Sequence, residues 1–484
     1  TIFMARPCTF AVLTTVVGFA SLVLSGILPV MNFGWMMSAG IGVSLFLTFL
    51  IFPVLLMLMP KAMPNTSFES RFALTKIFAD ITERHGKSIL YISVAALILS
   101  VVGASKLNVE NSFIDYFKES TEIYQGMKLI DQQLGGTTPL DVVINLELSE
   151  DDVQTVAQEN KDQVKLEDEE EFDSFEEEFE ETASEAQYWF TTEKMERIEE
   201  IHEYLDGLQQ TGKVLSLGTM LKIGKTLNSG KPLDDFMLAL LYNELPEHFR
   251  KIIMDPYVSV ENNEARFYVR IRDSEPDLRR NELLKQIQFD LKDKLDIPEE
   301  KGRLANLLVL YNNMLQSLFQ SQILTLGVVI VAFLIMFIFL FRSVTIALIA
   351  IFPNVLSIGV VLGFMGWMGI PLDMMTITIA AISVGIAVDN TIHYIHRYRF
   401  EFAFDRDYLA AMHRSHESIG YAMYYTSITI IIGFSILVLS KFIPSIYFGL
   451  LTGLAMLIAL VAALTLLPQL MIVLKPLGPE KKKV

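Results

Sequence analysis

The stretch SVGIAVDNTIHYIHRYR, Ser383 to Arg399, follows a long apolar run and sets an aspartate where lipid is expected. An intramembrane charge costs about 2.5–3.5 kcal/mol on insertion scales, so Asp389 is a functional candidate by default. It lies eight residues before Arg397, about 12 Å along a helix, and sixteen after Asp373, about 24 Å. Asp373 reads as an interfacial or helix N-terminal carboxylate. His393 is one turn along on the Asp389 face, with Asn390 and Thr391 beside it. Gly385, one turn the other way, lets a neighbouring helix come close. YYTSIT in the following span brings Thr426, Ser427 and Thr429 to similar depth.

This is the equipment of a proton relay. A carboxylate withdrawn from water exchanges protons near neutral pH, and hydroxyls and amides stabilise both of its forms. The relay set is Asp389, Asn390, His393, Thr426, Ser427 and Thr429, with Gly385 as a packing position. Two plainer readings stand beside it: Asp389 as a structural carboxylate bonded to its neighbours, and His393 as an interfacial residue. Asn354, next to the kink expected at Pro353, reads as packing.

The elements that hold these residues are membrane spans. The chain is 52% hydrophobic over 484 residues, with a mean hydropathy of +0.40. Eight stretches are long and apolar enough to cross: 8–28, 33–59, 88–105, 322–341, 344–366, 372–395, 419–440 and 445–474. Bases gather in alternate loops and in the tail KKKV, which places those loops in the cytoplasm. The first 60 residues form two spans, followed by a cytoplasmic linker at 61–87 and one span at 88–105. Residues 106–315 fall outside the cytoplasm, 316–475 form a five-span bundle, and 476–484 a basic tail. LDVVINLEL and EARFYVRIRD read as strands, and KMERIEEIHEYLDGLQQ and LRRNELLKQIQFDLKDKL as amphipathic helices. Their alternation suits an α+β, ferredoxin-like layer, with turns at Gly135–Gly136 and Gly212–Lys213.

Most of the net charge of −17 is local, since residues 150–185 hold seventeen acids against two lysines. That density argues for a solvated, extended insertion. The near-neutral remainder gives no sign of nucleic-acid binding. The single cysteine, Cys8, excludes an intramolecular disulfide. TIFMARPCTF lacks the pattern of a signal peptide.

TTVVGFASLVLSGILPVMNFG, from Thr14, repeats as TIIIGFSILVLSKFIPSIYFG, from Thr429. Gly18 matches Gly433, Pro29 matches Pro444 and Pro53 matches Pro468, all in ungapped register. The first two spans are thus copies of the last two, in a parallel arrangement that transporters use. The spans at 322–395 would have their own copies ahead of Thr1. The expected parent has twelve spans in two halves, of which these are numbers five to twelve.

GIAVDNTIHYIHRYR, with the repeat and LYNNMLQSLFQSQILTL leading into a span, resembles the GxxxD stretch in the tenth span of the RND superfamily. The MMPL and hopanoid-exporter-like branch, with its sterol-sensing-type membrane module, is the most similar. The resemblance implies a proton-driven exporter of lipids or amphiphiles in the bacterial inner membrane, with porter-like periplasmic domains and Asp389 in the proton network. Protons, a hydrophobic substrate and the membrane are the implied partners. It leaves room for a homo-oligomer and a periplasmic partner, and calls for no cofactor. The sequence departs from the drug-efflux branch in having no lysine in this span. Asn390 also stands where relatives often carry Tyr or a second acid. A sterol-sensing or lipid-binding receptor is the alternative. An intramembrane aspartyl protease fits poorly: GIAVD does not provide the GxGD context, and no second acid matches Asp389 in depth. The chain has no GxxxxGK[ST] loop for an ATP motor, and an enzyme is not expected.

Overall fold

The computed structural model describes residues 2–58, 74–147, 189–231 and 246–480, apart from 108, 110, 111, 229, 276, 277 and 374. The acidic stretch 150–185 lies outside the described residues, as do residues 61–73 of the expected linker. Two compact units emerge. One comprises residues 1–111, 115–118 and 314–484, and the other residues 112–114 and 119–313.

In chain order the helices are α1 (Ile2–Ala20), α2 (Leu28–Leu58), α3 (Leu74–Ala104), α4 (Glu122–Gln133), α5 (Thr192–Asp206), α6 (Leu217–Leu227), α7 (Glu247–Ile253), α8 (Arg280–Asp293), α9 (Leu307–Phe341), α10 (Val344–Met368), α11 (Thr376–Asp405), α12 (Tyr408–Ser415), α13 (Tyr421–Ser435), α14 (Ile443–Leu464) and α15 (Leu466–Leu474). Among the described residues, eight helical stretches are long and apolar enough to cross a membrane, as the sequence predicts. The third and fourth begin earlier than expected, at Thr75 and Leu307. Their apolar windows continue polar helical turns that hydropathy alone does not mark. In α3, His85 leaves helical geometry at φ −120°, so its polar and apolar parts meet at a kink.

The bundle packs through small residues and aromatics. On α9, Val329, Phe333, Phe337 and Phe341 recur every fourth residue and are buried in one cluster with Ala347, Ala350, Val384 and Val388. Without a hydrophobic drive between helices in lipid, such close packing is what holds them. Gly363 and Gly366 on α10 lie against the backbone of Ser100 and Gly103 on α3, where an added Cβ would collide. Pro353 sits inside α10. Around Pro468 the last span breaks into α14 and α15 at Thr465, whose φ is −124°.

The other unit holds strands β1 (Thr138–Asn145), β2 (Thr211–Leu215), β3 (Val258–Ser259), β4 (Glu264–Ile271) and β5 (Gly302–Ala305). Their order is β2-β4-β1-β5, with β3 on β4. The pairings are antiparallel, Thr138 standing opposite Ile271 and Asp141 opposite Ala305. Helix α5 connects β1 to β2 and α8 connects β4 to β5. Burial alternates along β1 and β4. Their inward Leu140, Val142, Phe267 and Val269 share one core with Ile198 and Ile201 of α5 and Ile287 and Leu291 of α8. That alternation is the period-two signal of a half-buried strand.

Gly135 and Gly136 take φ of 84° and 101°, as turn glycines do. Gly212, by contrast, is not a turn. It lies in β2 at an irregularity in the register between Thr211 and Lys213, with its Cα facing the Gly135 backbone at a distance no side chain would allow. Close approach, not reversal, explains this glycine. Asp131 ties the unit's edge together, accepting from Thr137 N and Oγ1 and from Asp273 N and Ser274 N at 2.6–2.9 Å. Burial pushes its proton affinity up, but these donors outweigh it and hold the carboxyl below its ordinary value.

Candidate functional site in the membrane bundle

Helix α11 places three consecutive polar residues in its buried middle. At 3.6 residues per turn, successive side chains point about 100° apart. Asp389, Asn390 and Thr391 therefore face three different neighbours. Asp389 faces α1, where Thr14 Oγ1 lies 3.5 Å from its Oδ1. Asn390 faces α13 and donates from Nδ2 to Ser427 Oγ at 3.1 Å, both residues being buried. Thr391 faces α10, its hydroxyl accepting from Asn354 Nδ2 at 3.2 Å. The same amide also donates to Ala350 O at 2.9 Å.

Glycine makes the α1 crossing close. A Cβ built on Gly18 would stand 2.8 Å from the Cα of Gly385. Backbone meets backbone there, which brings the Thr15 hydroxyl to the Gly385 carbonyl at 3.0 Å. It also brings Thr14 to the carboxylate one turn on. Gly385 thus occupies a close helix crossing, with α1 as the neighbour. Asp373 receives the amides of Met375 and Thr376 at 2.8 and 2.7 Å, at the start of α11.

The predicted set divides. Asp389, Asn390 and Ser427 fall within this polar layer, and His393 is half-buried one turn further along α11. Thr426 and Thr429 do not join it. Both are exposed, and their hydroxyls donate to carbonyls of their own helix, Ala422 and Tyr425, at 3.0 and 2.8 Å. Matched depth fixes position along the membrane normal but not rotation about a helix axis. Thr14, Thr15, Asn354 and the fully buried His416 were not singled out for the site. For Thr14 a signal existed, since it is the repeat partner of Thr429.

Residues 251–483 match the MMPL family model, of the RND superfamily, and the likeness read from GIAVDNTIHYIHRYR is borne out. A membrane protein of Methanocaldococcus jannaschii is 30% identical over 154 residues, which cover 32% of this chain and 40% of that protein. Among solved structures, the hedgehog release protein Disp from the water bear Hypsibius dujardini aligns over 98% of this chain with a TM-score of 0.57 and 14% identity. SecDF, a translocon-associated membrane protein from Thermus thermophilus, aligns over 97% with a TM-score of 0.46 and 12% identity. The chain spans 58% of the Disp chain and 48% of the SecDF chain.

Proposed function

We propose, from an MMPL-type membrane module as premise, that this chain is part of a proton-driven secondary transporter that exports lipids or other amphiphilic molecules. Asp389 is its proton carrier. The observation that carries the reading is the seat of that carboxylate. It stands in the middle of a buried membrane helix, with the Thr14 hydroxyl on one side and each of the next two residues hydrogen-bonded to a neighbouring helix, Asn390 to Ser427 and Thr391 to Asn354. A group so placed can gain and lose a proton while its surroundings adjust by hydroxyl rotation rather than by refolding. Thr14 is its nearest polar partner, Asn390–Ser427 and Asn354–Thr391 fix the flanking helices, and His393 extends the polar face toward the base-rich end.

In this reading the base-rich loops face the cytoplasm of a bacterial inner membrane, and the α+β unit is a ferredoxin-like, porter-like domain in the periplasm. The strand order β2-β4-β1-β5, with a helix after β1 and another after β4, supports the ferredoxin-like assignment. The chain performs no covalent chemistry of its own.

The test is proton uptake coupled to efflux of a panel of lipids, with the whole protein in proteoliposomes, comparing wild type with Asp389→Asn. Loss of coupled flux in a folded variant is the expected result. Unchanged flux would remove Asp389 from the mechanism. Lipid binding without proton flux in either protein would favour a sterol-sensing or lipid-binding receptor.

A further inference from the structure

Between α12 and α13 the helix widens into a π-turn, His416–Gly420. Such turns shift every following side chain and recur at functional sites. Its first residue, His416, is fully buried. Both ring nitrogens meet oxygen. Nε2 lies 2.8 Å from the Leu464 carbonyl. Nδ1 lies 3.0 Å from the Met412 carbonyl and 3.1 Å from the Tyr394 hydroxyl.

The Leu464 carbonyl has a reason to accept. Its helical donor would be the amide four residues on, which is Pro468 and has no N–H. His416 fills that vacancy, and the Thr82 hydroxyl stands at 3.4 Å from the same oxygen. Nε2 therefore carries a hydrogen. Nδ1 has two solutions. A neutral ring accepts there from the Tyr394 hydroxyl, leaving the Met412 carbonyl facing a lone pair. An imidazolium donates there to the Met412 carbonyl, so that both nitrogens reach acceptors. The Tyr394 hydroxyl then turns its oxygen toward the ring.

We propose that His416 is a proton-binding site, caged by the Met412 and Leu464 carbonyls, whose occupancy is read by Tyr394. When the proton leaves Nδ1 for water at the base-rich end, the Tyr394 O–H swings to donate in its place. Tyr394 lies five residues after Asp389 on α11, so the state of His416 is communicated to the helix that carries the carboxylate. As a proton site the assignment stands alone, while its place on a route to Asp389 rests on the proton-coupled reading above.

The groups around the ring are few in kind. Helix α11 presents Tyr394, with the tilted ring of Tyr398 behind it at 6.0 Å between centroids and its hydroxyl bonded to the Tyr408 carbonyl. Helix α14 presents the Leu464 carbonyl. Helix α3 presents Thr82 and, against Gly420, Thr75. The flanking charges are paired, Glu83 with His413 at 2.8 Å and Lys76 with Glu417 at 3.2 Å.

The test reads the ring itself. The whole protein, labelled with 15N-histidine, is titrated in nanodiscs from about pH 5 to 8, the range in which histidine charges. The His416 signal is identified by its loss in His416→Gln, whose amide can still serve Leu464. Wild type is expected to pass from a ring protonated on both nitrogens to one protonated on Nε2 alone. Tyr394→Phe removes the donor of the neutral state and should shift the balance toward the imidazolium roughly three- to tenfold. A ring that keeps one protonation state throughout, or a balance unmoved by Tyr394→Phe, overturns the proposal. If His416 titrates as described while Asp389→Asn leaves coupled flux unchanged, the route to Asp389 fails and the proton site stands.

Discussion

The crossing of α1 and α11 makes an unequal prediction for two facing glycines. In Gly18→Ala the new methyl would stand 2.8 Å from the Gly385 Cα and 3.4 Å from the Ala381 carbonyl. In Gly385→Ala it would stand 3.5 Å from both the Gly18 Cα and the Thr15 carbonyl, an ordinary contact. Each alanine gains the same intrinsic helix preference, about 0.5–1 kcal/mol, so that gain cancels in the comparison. What remains is overpacking at position 18, about 1–3 kcal/mol. To relieve it, the helices must part by about 0.6 Å, from 2.8 Å to the edge of normal contact at 3.4 Å. That carries Thr14, already 3.5 Å from Asp389, beyond hydrogen-bonding reach. Thermal unfolding in nanodiscs should therefore rank Gly385→Ala at or above wild type and Gly18→Ala below it. Coupled proton flux should fall with Gly18→Ala alone. If Gly385→Ala proves as damaging as Gly18→Ala, the crossing is not arranged as described.

Two further outcomes follow from the geometry. Ser427→Ala strips a buried partner from Asn390 and should cost about 1–3 kcal/mol, whereas Thr426→Val and Thr429→Val should stay within about 0.5 kcal/mol. Equal losses in unfolding measurements would refute that division. In the α+β unit, His202 is buried with its Nδ1 2.8 Å from Ser216 Oγ, the cap of α6. Burial first, and Lys222 second, hold this imidazole below its ordinary value of 6.5. The unfolded chain therefore binds the proton more readily. The unit's stability is full above pH 6.5 and declines as pH falls through that value. The protection of α5 amides in the intact protein, taken relative to the intrinsic exchange rate at each pH, should fall between pH 7 and 5.5, and His202→Gln should flatten that dependence; an unchanged dependence in the variant would dismiss the histidine.

The sequence carries the axial layout well, because hydropathy and charge are sums over many residues. All eight spans, β1, β4, α5 and α8 were legible in it. It carries azimuth poorly. Thr426 and Asp389 match in depth yet never meet, since rotation about a helix is set by which neighbours pack, and α1 fills the side where α13 was expected. The internal repeat held the missing clue, because the face of Thr429 is duplicated in Thr14. His416 was invisible for a related reason. A π-turn resets the angular phase of a helix and leaves no compositional mark, and the carbonyl it serves is freed by a proline 52 residues further on.

The glycine contact also has a mechanical consequence. Most helix pairs interlock through side chains seated in grooves, and such teeth resist displacement along the axis. Where Gly18 meets Gly385 the teeth are missing, and the surface is a smooth bearing. The polar tethers beside it are the Thr15 hydroxyl on the Gly385 carbonyl and, one turn on, the longer Thr14 contact to Asp389, and a neutral bond of this kind is worth about 0.5–1.5 kcal/mol net. Thermal motion can release and remake such a tether. At this point the resistance to axial displacement of α1 beside the carboxylate is low, and a change of charge on Asp389 acts directly on the Thr14 contact next to it.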